Sequence, residues 1–138
     1  MILGYTFEEI EGKRAEISGK VDINSTIDIK DVKEIEIEIG EKKKVVEISF
    51  EFKVEYKPSD GKITFKGNIL YYSKNNKEVI KEWEKNRRLP EDIDIEVKNF
   101  LLKKCLTFAL SIAEEIRMPS PIPFPMIVKK KEDKSYIG

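Results

Sequence analysis

Val45-Val46-Glu47-Ile48-Ser49-Phe50-Glu51-Phe52-Lys53-Val54-Glu55-Tyr56-Lys57 leads into Pro58-Ser59-Asp60-Gly61 and then Lys62-Ile63-Thr64-Phe65-Lys66-Gly67-Asn68-Ile69-Leu70-Tyr71-Tyr72. In the first arm Val46, Ile48, Phe50, Phe52, Val54 and Tyr56 point one way, and Glu47, Ser49, Glu51, Lys53 and Glu55 the other. Strict alternation of this length gives a strand with one buried and one wet face, hence an antiparallel sheet. Proline pre-sets φ and glycine accepts positive φ, so Pro58 to Gly61 reads as a tight turn. In the second arm Ile63, Phe65, Gly67, Ile69 and Tyr71 are in phase. Pairing Tyr56 with Ile63 sets Phe52 opposite Gly67, where the missing side chain leaves room for a ring. The stretch is a β-hairpin, and the rest of the fold is built outward from it.

Upstream, Ile35, Ile37 and Ile39 alternate with Glu34, Glu36 and Glu38, a further strand closed by Gly40 and Lys42-Lys43-Lys44. Earlier still, Ala15, Ile17, Val21 and Ile23 alternate with polar residues. Phe7 and Ile10 extend that segment, and Gly12 and Gly19 mark bulges or bends. Four strands result, connected in sequence, most simply as an antiparallel meander. The glutamates of the 34–38 segment are expected on its wet face.

Downstream of Ser73 the apolar period changes from two to between three and four. Val79, Ile80 and Trp83 lie on one stripe of a short helix that ends near Leu89-Pro90. Pro90-Glu91-Asp92 opens a second, longer helix, acidic residues favouring its N-terminus. Val97, Leu101, Cys105, Phe108, Ile112 and Ile116 form its main stripe, widened by Phe100, Leu102, Leu106 and Ala109. Covering one sheet face needs only about 100° of apolar circumference. The excess predicts either a helix sunk deep in the core or a second contact, with Val97, Leu101, Phe108 and Ile112 as an interface between copies of the chain. The order strands-then-helices defines an α+β domain over residues 1–128, four antiparallel strands packed with one long and one short helix. Residues 129–138 read as a charged flexible tail.

Arg117 ends the long helix, and Met118-Pro119-Ser120-Pro121-Ile122-Pro123-Phe124-Pro125-Met126-Ile127-Val128 follows. A proline at every second position holds this segment extended and keeps it out of a sheet interior. Ile122, Phe124 and Met126 then project to one side as an apolar ladder on a stiff backbone. The ladder either closes the core or lines a groove for other apolar segments, its ordering entropy already spent.

Composition narrows the chemistry. The 138 residues contain no histidine, the usual general base near neutral pH and the commonest metal ligand. Ser-His-Asp and Cys-His devices are excluded with it. No phosphate loop, nucleophile elbow or zinc spacing is present, so the chain reads as a binding protein without a cofactor, not an enzyme. The single cysteine, Cys105, sits in an apolar run and is expected to be a buried, inert thiol. Charged residues make up 38%, against roughly 25% in ordinary soluble proteins. They are dominated by Lys and Glu, a pattern shared by heat-adapted proteins. With 26 basic and 26 acidic residues the net charge is zero, which argues against a nucleic-acid partner. Rings interleaved with lysines at Phe50, Phe52, Phe65 and Tyr71 resemble a single-strand-binding sheet, yet alternation sends those rings to the core side. No apolar run reaches the ~20 residues of a membrane span, and Met1 to Tyr5 is followed at once by charge, so a cytoplasmic location is expected.

The element order resembles SecB and the wider SecB-like chaperones. Phe7-Glu8-Glu9-Ile10-Glu11-Gly12-Lys13-Arg14-Ala15-Glu16-Ile17 is similar to that family's first strand, and Leu89-Pro90 through Ile116 with Pro119 to Phe124 to its oligomer-forming helix and following loop. The resemblance implies a homotetramer, a dimer of dimers, that holds unfolded or nascent polypeptides in exposed apolar grooves without ATP. Carried onto this chain, it points to Ile122, Phe124 and Met126, with Trp83, as polypeptide-binding residues. Family members from bacteria continue into a further C-terminal helix and are strongly acidic, a feature tied to docking on the SecA motor. This chain has neither, so the resemblance implies a general or toxin–antitoxin-associated holdase and not an export chaperone. The alternative is a structural or adaptor module that uses the proline-rich segment to bind one specific partner.

Overall fold

The protein's structure, a computed structural model, describes residues 1–129. Apart from Lys129, the segment read as a tail lies outside the described residues. The elements are β1 (Ile2–Lys13), β2 (Asp22–Ile39), β3 (Glu41–Lys57), β4 (Gly61–Tyr71), α1 (Asn76–Asn86) and α2 (Glu91–Glu115). This is the α+β arrangement read from the pattern: one four-stranded antiparallel sheet, a short helix and a long one.

The connection of the strands is more specific than a sequential meander. β2, β3 and β4 do run as one, but β1 lies against β4, giving the order β1-β4-β3-β2. That is a Greek-key order, in which three hairpin-connected strands are joined by a fourth lying beside the far end of the set. The residues between β1 and β2 cross from one edge of the sheet to the other, with Gly19 at φ 78° in the bend and Ile17 and Val21 packed against the core. The N-terminal apolar segment is thus divided between two strands, and Asp22–Ile39 joins into a single long one.

The β3–β4 hairpin has the expected faces and a register two residues away from the simplest pairing. Val54 lies opposite Ile63, Phe52 opposite Phe65, and Phe50 opposite Gly67. The turn sets this. Ser59 Oγ donates to the Tyr56 carbonyl at 2.5 Å and accepts from the Gly61 N–H at 3.1 Å, so Gly61 becomes the partner of Tyr56 and the first residue of β4. The ring that uses the space at Gly67 is therefore Phe50. A Cβ there would also overlap the Thr6 carbonyl of β1. Gly67→Ala is expected to cost about 1–3 kcal/mol through this overpacking, seen as a lower urea midpoint with faster amide exchange in β1.

A bulge changes the face of β2 half-way along. Ile23 and Ile27 pair with Tyr56 and Phe52 on the helix side, the register slips between Ile29 and Asp31, and Val32 then pairs with Ile48. One extra residue inverts the phase of everything beyond it. Glu34 consequently shares the face of Val46, near α1, while Ile35 lies opposite Val45 on the outer face. Glu34, Glu36 and Glu38 are exposed as expected and Ile35 and Ile37 half-buried, but the bulge puts the glutamates on the face shared with Val46.

Both helices cover one face of the sheet. Its even-numbered β3 side chains from Val46 to Tyr56, with Ile63, Phe65 and Ile69 of β4, are fully or almost fully buried against Val97, Leu101, Cys105, Ala109 and Ala113 of α2 and Val79 and Trp83 of α1. Asn76 ties the start of α1 to β3 by donating to the Lys44 carbonyl at 2.9 Å. On α2, Tyr71 OH donates to Glu96 Oε1 at 2.6 Å. The helix ends in a Schellman arrangement: Arg117 takes φ 55°, its N–H bonds the Glu114 carbonyl, and the Met118 N–H bonds that of Ala113. Met118 is thereby turned into the core beside Gly61. Much of the outer face is a lattice of cross-strand pairs, among them Lys66 with Glu9 and Glu51 and Lys62 with Glu11. Glu51 is the least exposed of these acids, and the Lys53 ammonium bonded to it at 3.0 Å holds its carboxyl below the ordinary range.

Candidate functional site

With the order β1-β4-β3-β2, β1 is an edge strand, and among the described residues one row of its backbone N–H and C=O groups has no partner strand. The bulge between Phe7 and Glu9 keeps Ile10 on the face of Tyr5 and Phe7, opposite Ile69, Gly67 and Phe65 in β4. All three side chains therefore lean toward α2. Between β1 and α2 runs an open groove of about 520 Å³, bounded by Tyr5, Phe7 and Ile10 on one side and Lys104, Thr107 and Phe108 on the other.

The floor of this groove is aromatic. Phe7 stacks on Phe108 with centroids 5.4 Å apart, and Phe108 stacks on Phe65 at 4.8 Å. Tyr5 meets Phe7 at 5.7 Å and Phe100 at 5.4 Å, both edge-on. The Lys104 ammonium lies 5.5 Å from the Tyr5 ring and 5.9 Å from that of Phe100. It gives one rim a positive charge without closing the groove, the usual behaviour of a long side chain whose stem lies on apolar surface. Tyr5 remains 42% and Ile10 50% exposed. An apolar floor, rigid because it is continuous with the core, thus sits beside an unpaired strand edge. These are the two elements needed to take up an extended peptide by strand addition.

The residues singled out from the sequence are placed differently from one another. Trp83 is in the core, 5% exposed beneath Arg87, and offers no ring to a ligand. Val97 and Leu101 are wholly buried against the chain's own sheet, so they are closed to a contact between copies, while Phe108 and Ile112 are half-buried. The helix twists across the sheet, and its inner line takes Val97 and Leu101 and then passes to Ala109 and Ala113. The outward apolar side chains of α2 are Ile95 and Leu102. Ile122 is half-buried, whereas Phe124 and Met126 stand in solvent. Tyr5 and Ile10 were not marked as site residues by the sequence. Their signal, alternation with Phe7, is visible only once the bulge and the β1–β4 pairing are known.

A second cleft, about 510 Å³, lies where α1 meets α2, among Asp28, Trp83, Arg87, Arg88, Glu91 and Asp94. Its charges are of both signs, and Lys98 already pairs with Asp94 at 3.2 Å. Cys105 is buried and its thiol is pushed up to about 12 by desolvation, which leaves it protonated and unreactive near neutral pH. Among the described residues no group of three or more His, Cys, Asp or Glu is placed to hold a metal ion, and no helix is long and apolar enough to cross a membrane. Phe50, Phe52 and Phe65 are buried, so their rings form no stacking platform for bases. No protein-family model, curated protein or solved structure matches the chain.

Proposed function

We propose that the protein is a non-enzymatic holdase of the SecB-like kind, binding extended apolar segments of unfolded polypeptides without ATP. The observation that carries the reading is the groove between β1 and α2, where exposed Tyr5 and Ile10 lie beside an unpaired strand edge. Backbone pairing along β1 is indifferent to client sequence, and the aromatic floor rewards any apolar side chain by the hydrophobic effect. Promiscuity follows from that combination. The element order, sheet first and a long helix followed by an apolar proline-bearing stretch, supports the same kinship. The proposal carries with it a homo-oligomer, whose several grooves raise weak contacts by avidity, and a cytosolic place of action.

Two apolar surfaces compete for the role of client site. The ladder of Ile122, Phe124 and Met126 exposes Phe124 and Met126 but has lost alternate backbone donors to proline. The groove keeps both side chains and backbone, so the primary contact is assigned there.

The test is light scattering from several unrelated, dilution-denatured clients with and without the protein. Suppression of aggregation for all of them at near-stoichiometric ratios, with no nucleotide present, is the expected result. A specific adaptor would suppress none, and that outcome removes the holdase reading.

A further inference from the structure

Beyond Met118 the sequence is that of a segment which, taken into a strand, would have only one usable edge. In extended backbone, successive N–H groups point to opposite edges, and proline contributes none. Pro119, Pro121, Pro123 and Pro125 therefore strip one edge of donors, while Phe124, Met126 and Val128 carry theirs on the other. The side chains of these three share one face and are 56%, 79% and 73% exposed, and Ile127 on the opposite face is fully exposed. The body of their own chain leaves them uncovered.

The groove and this segment have matching deficits. β1 lacks a neighbour on its outer side, and Tyr5 and Ile10 lack a cover. The segment lacks a neighbour on its one good edge, and its apolar face lacks a surface. We propose that residues 122–128 of one copy dock as a fifth strand on β1 of a second copy, laying Phe124, Met126 and Val128 over Tyr5, Ile10 and Phe108. The inference rests on the reading of the groove as a site for extended apolar peptides, and names its resident occupant.

Three observations favour a second copy as the acceptor. The segment leaves the body at the β3–β4 turn, held by Tyr56 OH donating to the Pro119 carbonyl at 2.7 Å, and it does not pair with its own β1 although Lys13, at the end of β1, lies beside Gly61 of that turn. Ser120 Oγ then accepts from the Ile122 N–H at 3.1 Å and donates to the Ile122 carbonyl at 2.5 Å, a local turn that sets the direction in which the segment leaves. Exchange between two copies leaves it intact and makes the contact twice about a two-fold axis, the low-cost route to a dimer. Charge agrees as well: β1 carries Glu8, Glu9 and Glu11, and Lys129-Lys130-Lys131 follows the segment in sequence. The prolines give the arrangement an end. Pro123 and Pro125 on the outer edge offer no donor to a further strand, so the five-stranded sheet stops there. A client binds by displacing the segment from β1.

The test mixes chains carrying Ile10→Cys with chains carrying Met126→Cys under oxidation, Cys105 being buried and protonated. Disulfide-linked pairs between the two populations are expected, and Phe124→Asp in the Met126→Cys chain should abolish them with an unchanged thermal midpoint. A chain carrying both cysteines that closes the bond only within itself at high dilution and on mixing would overturn exchange between copies. The absence of any bond would overturn the docking itself. Phe124→Asp alone should also raise apparent client affinity about threefold or more, because the competing occupant is gone; a fall in affinity overturns the proposal. Linked pairs from a protein that suppresses no aggregation would remove the holdase reading and leave the docking standing; suppression without linked pairs would do the reverse.

Discussion

Phe65→Ala is expected to lower the stability of the protein by about 3–5 kcal/mol, the range for removing a buried phenylalanine. That is a large share of the ~5–15 kcal/mol by which domains are ordinarily stable. Phe65 is wholly buried at the point where β1, β3, β4 and α2 meet. Its ring stacks on Phe108 at 4.8 Å and on Phe52 at 5.6 Å, and meets Phe7 at 5.4 Å. Three aromatic partners lose a neighbour together, and they come from three different elements, so no single side chain can move in to refill the space. Urea denaturation followed by tryptophan fluorescence and by circular dichroism reads the loss. Phe65→Leu, which keeps most of the volume, should cost well under half as much. Equal losses for the two variants would mean that packing volume is not what Phe65 contributes.

The same residue shows where sequence pattern is informative and where it stops. Phe52, Phe65 and Phe108 were each assignable to a buried face from period alone, two on alternating strands and one on a helical stripe. Faces follow from the local period, because successive strand side chains point to opposite sides and helical ones recur every three or four residues. Registers do not. Whether Phe50 or Phe52 occupies the space at Gly67 depends on two hydrogen bonds of Ser59, which no period encodes. The bulge between Ile29 and Asp31 is silent in the pattern for a similar reason: Ile35, Ile37 and Ile39 alternate cleanly with glutamates whichever face they take. Pairing of β1 with β4 joins residues some sixty positions apart, Phe7 with Gly67 for instance. A local reading offers the nearest partner, β2, which also leaves β1 at an edge but separates it from β4, on which the groove depends. The proline ladder was legible as an extended apolar element, but not whether it closes the core or stands open; Ile122 is half-buried while Phe124 and Met126 are exposed. Burial of Trp83, by contrast, turns on how α1 seats against β2 and β3, a tertiary matter.

Replacing Tyr5 and Ile10 together by aspartate is expected to weaken client binding by about 10- to 100-fold while leaving the fold in place. Both side chains are about half exposed, so the charges remain in contact with water and the core beneath, Phe7 and Phe65, keeps its packing. An apolar client lying over them must instead desolvate two carboxylates, and truncating or opposing even one central anchor typically costs more than 1 kcal/mol. Two such sites give the stated range, each 1.4 kcal/mol being a factor of ten. Ile95→Asp is the control, since that side chain is as exposed but lies on α2 away from the groove. Fluorescence anisotropy of a labelled apolar peptide, with the thermal midpoint as a check on folding, measures the effect. If the Ile95 variant loses as much as the double variant, binding is a property of exposed apolar surface in general and not of the groove. The sign pattern across variants is more demanding still. Tyr5→Asp in the chain carrying Ile10→Cys should remove the linkage between copies, as the double variant removes client binding, because the two occupants share one surface. A charge at Phe124 should remove the linkage alone and free the groove for clients. Only an arrangement in which the chain's own segment and the client compete for β1 gives opposite signs to substitutions that are both, taken singly, the loss of an exposed apolar side chain.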